Sequence, residues 1–355
     1  MRFVKTQDLK RGMRIGRPIY SKRGDLLYDR DLKLTDSDIV KIRSLKTVGI
    51  FVLDAVEPLP PMSAEDYEYE KRRSLNTYAL KDELQEILVT HRSHRIGKIA
   101  ESILSVKYGK KKSDFPLSIR AKEEYVCSHS VNVANLIAMM CAHINTGAME
   151  KENAIYSALL HDIGKYVVPA KLLEGETAEE VDRILLNAQD IGFEIIGMLF
   201  DGDKKVMNTC IQAHRILMNH RFGRNPGPEK NTLATALLVV ADTFDSMTCV
   251  DAMSGAEPKS AVAAVRYMRD YPEVFEARAV DALVASIEIL RPGTTVLLSN
   301  KKQALVMAEG ADDVLRPTVL EVTTNRFVDL SCVDSSELSI VDVVNKLDKR
   351  HVVDR

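Results

Sequence analysis

A long succession of helical hydrophobic patterns, from residue 116 to about residue 290, constrains the fold more than any other feature of the sequence. In EEYVCSHSVNVANLIAMMCAHI, an apolar stripe at helical spacing is formed by Val126, Val133, Leu136, Ile137 and Met140. The stretch LATALLVVADTFDSMT is almost continuously apolar before an aspartate, as in a helix buried on most sides. We therefore predict a mainly α protein whose centre is a helical bundle over residues 116–290.

The regions on either side of the predicted bundle have a different character. Residues 1–57 mix short β-branched runs with Gly and Asp turns, which predicts a small β-rich N-terminal module. The proline-rich stretch AVEPLPPMSAED leads into residues 58–115, where a charged periodic sequence predicts a linker and one or two connector helices. Residues 291–355 follow an RPG turn and alternate apolar with turn residues, which predicts a β-rich C-terminal tail.

Composition limits the classes of function. The 355 residues suffice for two or three modules, and a hydrophobic content of 45% suffices for a core. A formal charge of -2 argues against binding to nucleic acid or membranes through bulk positive charge. The five cysteines have no C-x-x-C spacing, so neither a disulfide framework nor a thiolate zinc site is indicated. The sequence has neither a signal-peptide core nor an apolar run of roughly 18 residues. We therefore expect a cytoplasmic protein with no membrane span and no nucleic-acid partner.

The stretch SALLHDIGKYVVPAKLL places His161 and Asp162 at the end of an apolar run. Adjacent residues of an ideal helix point about 100° apart, so both side chains can face one point only near a helix end or a turn. We expect Gly164 to supply that turn. Imidazole and carboxylate groups suit a divalent transition metal, and two ligands leave coordination positions to fill. Two further candidate ligands, His129 in CSHSVNVA and Asp242 in VVADTFDSMT, lie on other apolar segments.

Each candidate also has an ordinary structural explanation. A single histidine on a helix face, such as His129, is usually a hydrogen-bonded structural residue. Asp242 could cap a helix or pair with a cation, because a buried carboxylate without a partner is costly. Asp245, one turn after Asp242, is expected to support a ligand rather than to be one, and His220 is a reserve ligand. The ordered set of His129, then His161 and Asp162, then Asp242 favours a metal site.

This ordered set resembles the H…HD…D signature of the HD superfamily of metal-dependent phosphohydrolases. The stretches EEYVCSHSVNVA, ALLHDIGKYVVPAKLL, IGFEIIG and VVADTFDSMT are similar, in this order, to landmarks of its HD-GYP branch, whose known members hydrolyse cyclic di-GMP. The N-terminal module and the β-rich tail also resemble regions that flank many HD-GYP bundles. The resemblance implies an HD-type helical bundle that holds at least one divalent transition metal, with Fe, Mn and Zn not distinguished. Its ligands would be His129, His161, Asp162 and Asp242.

The sequence departs from the HD-GYP pattern at three places. Ala188 stands where the family has a histidine, four residues before the glycine of IGFEIIG. The family triplet His-His-Glu is replaced by Ala213, His214 and Arg215. The family triplet Gly-Tyr-Pro is replaced by Arg221, Phe222 and Gly223. In the family, the histidines at 188 and 213 help to hold a second metal, so a second ion here would depend on Asp162 and His214. We expect one metal and little or no cyclic di-GMP hydrolysis.

The resemblance also implies roles for the residues around the metal. Asp162, which belongs to both metal positions, would be central to catalysis, and Lys165 would bind the substrate phosphate. Arg215 and Arg221 add positive charge where the family has glutamate or glycine. Since guanidinium groups suit phosphate oxygens, both are predicted to bind phosphate, with a solvated surface position as the alternative.

Three functions remain open at this point. The first is a metal-dependent phosphohydrolase that acts on a cyclic dinucleotide or another nucleotide phosphoester, as the retained set of four ligands favours. The second is a catalytically silent HD-GYP-like module that binds a nucleotide or a signalling protein, as the two lost histidines and the lost Gly-Tyr-Pro triplet favour. The third is a scaffold in which His161 and Asp162 form an internal hydrogen-bonded pair without an ion. A homodimer is also consistent with the sequence, which does not decide the oligomeric state.

Overall fold

The computed structural model describes residues 2–45, 47, 49–53, 59, 61–109, 112, 119–120, 125–173, 175–200, 202–224, 231–251, 258–332 and 337–344. The helices are α1 (Asp36–Ser44), α2 (Ala64–Thr90), α3 (Ile96–Leu104), α4 (Tyr125–Met140), α5 (Ala148–Leu160), α6 (Ile163–Val167), α7 (Ala178–Leu199), α8 (Lys205–Arg221), α9 (Leu233–Thr248), α10 (Ala261–Asp270) and α11 (Ala277–Ser286). The strands are β1 (Arg2–Lys5), β2 (Arg14–Ile15), β3 (Ile19–Tyr20), β4 (Leu26–Tyr28), β5 (Gly49–Leu53), β6 (Ile119–Arg120), β7 (Val250–Asp251), β8 (Thr295–Leu298), β9 (Gln303–Ala308), β10 (Thr318–Glu321), β11 (Arg326–Asp329) and β12 (Ile340–Val343). The predicted fold class, mainly α with a β-rich module before the bundle and a β-rich tail after it, is confirmed.

The N-terminal module has its own small core. Strands β1, β5 and β2 form an antiparallel sheet with β5 in the centre, and β3 pairs with β4. Helix α1 also lies within this region, and the sequence analysis, which predicted a β-rich module, did not identify it. It begins at a capping box in which Thr35 and Asp38 satisfy each other's backbone N–H groups. Its buried residue Ile42 packs with Ile15 and Val52 of the sheet.

The predicted connector segment consists of the two helices α2 and α3. Both belong to the main apolar core, since Leu84 of α2 and Ile103 of α3 are fully buried against the bundle. Buried Glu83 fixes the turn between them, because its Oε1 accepts hydrogen bonds from the backbone N–H groups of Arg95 and Ile96 at the start of α3. The helices therefore form part of the wall of the bundle.

Helix α4 lies at the centre of the bundle, in contact with α2, α5, α9 and α11. Its predicted apolar stripe is buried, with Val133, Leu136 and Ile137 all at 0% exposure. Helix α9 is buried over most of its length, from Leu233 to Ala241. Polar side chains on α4 and α9 are therefore held in the interior of the protein.

The C-terminal strands form an antiparallel sheet in the order β11, β10, β9, β8, β12. The inward-facing residues Val296, Val306 and Val319 belong to the same apolar core as the helices. The core thus extends on both sides of the predicted bundle limits at 116 and 290. Within the described ranges, none of the helices is both long enough and apolar enough to cross a membrane.

Gly164 has a different role from the one predicted. The chain turns at His161 and Asp162, between α5 and α6, and Gly164 is the second residue of α6. A Cβ atom at Gly164 would lie 2.3 Å from the carbonyl oxygen of Ala188, and one at Gly192 would lie 2.6 Å from the nitrogen of Gly164. The prediction that Gly164 supplies the turn was wrong because the glycine is needed for direct backbone contact between α6 and α7.

We expect Gly164→Ala to lower the free energy of unfolding by about 1–3 kcal/mol, because the added methyl group meets backbone atoms that cannot move separately. Gly97→Ala is the matched control, since Gly97 is also the second residue of its helix and its Cβ would meet only the Tyr156 hydroxyl at 3.5 Å. The control should be neutral or stabilising. Urea unfolding curves measure both effects, and equal stability of the two variants would contradict the close-contact role.

Candidate metal centre

Three of the predicted ligands converge on one point inside the bundle, and the fourth, Asp162, lies beside them. His129 lies on α4, His161 and Asp162 lie between α5 and α6, and Asp242 lies on α9. The Nε2 atom of His129 is 3.3 Å from Nε2 of His161 and 3.1 Å from Oδ1 of Asp242. These three residues each offer a ligand atom within 4.8 Å of the others. The carboxylate of Asp162 lies 4.0 Å from Nε2 of His129 and 3.7 Å from Nε2 of His161.

An interruption of the helix between α5 and α6 allows the adjacent His161 and Asp162 to face the same point. His161 closes the last turn of α5 with its N–H bonded to the carbonyl of Ser157. Asp162 has φ -105° and ψ 13°, outside helical values, and α6 begins at the next residue. Gln189 on α7 stabilises this non-helical turn, because its side-chain amide donates a hydrogen bond to the carbonyl of His161 at 2.5 Å.

Hydrogen bonds on the outer side of each ring fix the orientation of both histidines. Nδ1 of His129 lies 2.7 Å from a carboxylate oxygen of Asp245, whose other oxygen accepts from the Asn132 amide at 3.2 Å. Nδ1 of His161 lies 2.8 Å from the carbonyl oxygen of Ala158. Because these oxygens accept hydrogen bonds, each Nδ1 carries a proton and each Nε2 of a neutral ring presents a lone pair to the cluster. This arrangement around ligand histidines is typical of metal sites.

The cluster needs positive charge at its centre. Two Nε2 lone pairs and two carboxylates meet there, while His129 is 0% and Asp162 is 1% exposed. Lone pairs and anions this close repel one another, and burial makes that repulsion costly. A proton would relieve one of these contacts, whereas a divalent cation would relieve all of them. Two imidazole nitrogens and two carboxylates suit a divalent transition metal, so the side chains present fit such an ion.

The charges of the cluster depress the pKa values of both carboxyl groups. Burial alone would raise the pKa of Asp162, but Lys165, His161 and His129 outweigh it and bring that pKa to about 2. Burial would likewise raise the pKa of Asp242, but a hydrogen bond from His129 when a proton occupies its Nε2, followed by positive charge on the histidines and Lys165, holds the pKa well below the usual range. Both carboxylates are therefore ionised near neutral pH and available as ligands.

Lys165 lies against the cluster rather than in open solvent. Its ammonium group is 2.7 Å from Oδ1 and 2.8 Å from Oδ2 of Asp162, while the lysine side chain is 32% exposed. Asp242 is also partly exposed, at 17%. The cluster therefore opens to solvent on the side of Lys165 and Asp242, and His129 lies behind them.

The remaining predicted residues lie on α8. His214 is half-buried with its ring centroid 5.6 Å from that of Phe193, and burial followed by the charge of Lys165 lowers its pKa. It is not part of the close ligand group found among the described residues. Arg215 is exposed, and the exposed Arg221 lies with its guanidinium carbon 6.0 Å from the Phe222 ring centroid. The roles of His214, Arg215 and Arg221 stay predictions.

The reserve ligand His220 is engaged elsewhere. Its Nε2 lies 2.7 Å from the Tyr267 hydroxyl, and its ring packs 4.6 Å from the Tyr271 ring. The sequence analysis also missed two supporting residues, Asn132 and Gln189. Asn132 follows His129 by three residues and lies on the same face of an apolar helix. This spacing could have predicted that Asn132 supports His129. Gln189 shows no comparable pattern, since its contact with His161 depends on how α7 packs.

Comparison with known proteins agrees with this geometry. The sequence model of the HD domain matches residues 126–247, a span that contains all four ligand candidates. A protein named cyclic di-GMP phosphodiesterase PA4108, from Pseudomonas aeruginosa, is 22% identical over 203 residues, which cover 57% of this chain and 49% of that protein. The chain thus spans about half the length of this curated relative. No solved structure matches the chain.

Residues 126–247 therefore form an HD domain, and the resemblance to the HD superfamily predicted from the sequence is confirmed. HD domains bind divalent metals, and the His129, His161 and Asp242 group is a possible site for one.

We expect Asp245→Asn to lower the affinity of the chain for a divalent metal roughly 10- to 100-fold, because the amide no longer fixes the tautomer of His129. The measurement is a competition titration of Mn²⁺ and Zn²⁺ against a chromophoric chelator. Asp190→Asn removes the same charge from an exposed position on α7 and serves as the control. Equal metal affinity of the two variants would show that Asp245 has no part in positioning the ligand.

Proposed function

We propose that this chain is a metal-dependent phosphohydrolase of the HD-GYP type that holds one divalent transition metal and acts on a nucleotide phosphoester. The observation that carries the proposal is the inward arrangement of the two imidazoles. Their Nε2 atoms face each other at 3.3 Å beside two ionised carboxylates, while their Nδ1 atoms are fixed by Asp245 and the Ala158 carbonyl. Such an arrangement is costly without a cation and suited to one.

The chemistry divides between the ion and the side chains around it. When bound, a divalent ion lowers the pKa of a water molecule and neutralises a phosphoryl oxygen. Lys165, on the open side of the cluster, is placed to donate from its ammonium group to a substrate phosphate oxygen. Asp162 and Asp242 hold negative charge at the centre at neutral pH, and the buried His129 excludes water from the rear of the site.

Two observations support one ion rather than two. Ala188 and Ala213 are buried alanines with no atom that could coordinate a metal. In addition, the ammonium of Lys165 contacts both oxygens of Asp162, the residue that would bridge two ions. A second cation would have to displace Lys165 and rely on His214. We infer that Lys165 supplies positive charge where a second ion would otherwise lie.

The comparison and the site both support a nucleotide phosphoester as the substrate. The relative from Pseudomonas aeruginosa is named for cyclic di-GMP hydrolysis, which supports a nucleotide phosphodiester or monoester as the substrate. A site with one ion loses part of the charge that stabilises the transferring phosphoryl group, at a cost of several kcal/mol in the transition state. We therefore infer weak or no cyclic di-GMP hydrolysis.

A catalytically silent module is the second candidate. The absence of histidine at Ala188 and Ala213 and the replacement of Gly-Tyr-Pro by Arg221, Phe222 and Gly223 favour this alternative for cyclic di-GMP. Such a module would bind a nucleotide or a signalling protein without turnover. Nucleotide binding that survives chelation, with no hydrolysis of any substrate tested, would establish it over the enzyme.

The metal content of the purified chain tests the single-ion site. We expect one tightly bound divalent metal per chain by plasma mass spectrometry, because Lys165 and the two alanines leave no complete second site among the residues that the structure describes. The double variant Ala188→His with Ala213→His should raise the occupancy toward two. Two fully occupied, protein-ligated ions in the unmodified chain would contradict the single-ion site.

Hydrolysis assays test the proposed activity. We expect little or no turnover of cyclic di-GMP and metal-dependent turnover of another nucleotide phosphoester, measured by product chromatography over a substrate panel. Asp162→Ala should abolish this activity, whereas Lys165→Ala should mainly raise KM because a phosphate contact is lost. Lys171→Ala is the matched control, because it removes a nearby lysine that is exposed to solvent. Rapid cyclic di-GMP turnover by the unmodified chain would contradict the argument from the missing histidines.

A further inference from the structure

A groove that contains none of the metal-centre residues lies between α2 and the first turn of α3. It has a volume of about 450 Å³ and is lined by one face of α2, by the start of α3 and by Lys22 in the turn between β3 and β4. This volume lies within the range of about 300–1,000 Å³ that is typical of small-molecule sites. The groove is therefore large enough for a small organic ligand.

The rim of this groove is positively charged. Lys22, Arg95 and Lys98 line it together with one carboxylate, Asp82. The ammonium group of Lys22 lies 3.6 Å from Oδ1 of Asp82, so these two charges largely cancel. Within the part of the chain that the structure describes, neither Arg95 nor Lys98 has a side-chain ion-pair partner. These two exposed cations favour an anionic ligand.

The backbone at the start of α3 does not add to this preference, because its N–H groups are already bonded. Oε1 of the buried Glu83 accepts hydrogen bonds from the N–H groups of His94, Arg95 and Ile96. The negative charge of Glu83 is balanced by these N–H groups, and Glu83 does not line the groove. The preference for an anion therefore depends on the side chains of Arg95 and Lys98.

Asn76 supplies a hydrogen-bond donor at the floor of the groove. This side chain is only 6% exposed, and its buried Nδ2 has no hydrogen-bond partner among the described residues. A buried donor without an acceptor is costly, and most such groups in folded proteins have a partner. Because Asn76 lines the groove, an oxygen atom of a bound ligand would be the acceptor that this amide lacks.

We propose that this groove binds a phosphate group, either as free phosphate or as the phosphate of a small ester. Arg95 and Lys98 contact its oxygens from the rim, and the amide of Asn76 donates to an oxygen at the floor. A guanidinium, an ammonium and an amide group together suit the several oxygens of a phosphate. The proposal goes beyond the phosphohydrolase activity, and binding in the groove does not require the metal centre.

NMR titration of the chelator-treated full chain tests the proposal, with sodium phosphate and AMP as the probes. Sodium chloride at equal ionic strength is the reference for general charge effects. We expect the side-chain amide signal of Asn76, identified by its loss in Asn76→Ala, to shift saturably with one site per chain. Tighter binding of AMP assigns the groove to phosphate esters, whereas equal or weaker binding of AMP assigns it to free phosphate.

Charge variants separate specific binding from binding to any basic surface. Arg95→Gln and Lys98→Gln should each weaken phosphate binding about threefold or more, because each removes one exposed charge contact. Arg92→Gln removes an exposed arginine of the same loop that does not line the groove, so the affinity should stay unchanged. Thermal melting identifies a variant that does not fold, and the other lining variant then gives the result.

Three results would overturn the proposal. The first is the absence of a saturable shift with both probes, and the second is an equal shift with sodium chloride. The third is an affinity in the folded lining variants that does not differ from the affinity of Arg92→Gln.

Discussion

The hydrogen bond between Nδ1 of His129 and the carboxylate of Asp245 is the interaction on which the rest of the site depends. It joins α4 to α9 in the interior of the bundle and decides which nitrogen of His129 faces the cluster. Without it, the ring could rotate or change tautomer, and the lone pair of Nε2 would no longer be directed toward His161 and Asp242. An apolar stripe on α4 and a nearly continuous apolar helix at α9 bury this position in the core.

The same interior position explains why a cation would stabilise the cluster. Burial in the core raises the cost of unpaired charge, and the sequence nevertheless places two carboxylates and two imidazoles there. Lys165 offsets one carboxylate from the solvent side, but it reaches Asp162 and not the space between the two Nε2 atoms. A single divalent ion in that space, with the lysine beside it, would balance the charges of the three carboxylates Asp162, Asp242 and Asp245. The contact of α6 with α7 at Gly164 and Gly192 keeps Asp162 in place.

The sequence alone was sufficient to predict the helical bundle and the close grouping of His129, His161 and Asp242, because both depend on local patterns. The apolar stripe of α4 predicted its burial, and the ordered set of histidines and aspartates predicted a shared site, while the ligand role of each residue stays a prediction. The role of Gly164 could not be predicted, since a glycine at a turn and a glycine at a helix crossing look alike in sequence. The contact of Gln189 with His161 likewise depends on tertiary packing. Helix α1 could have been found from its capping box, TDSD.

The position of the metal is the central claim, and X-ray diffraction from crystals grown with Mn²⁺, recorded at the manganese absorption edge, tests it most directly. We expect one anomalous peak per chain, surrounded by Nε2 of His129, Nε2 of His161 and carboxylate oxygens of Asp162 and Asp242 at about 2.0–2.3 Å. The account would be contradicted if no peak appears at this cluster, or if His129 or Asp242 faces away from the metal that is found.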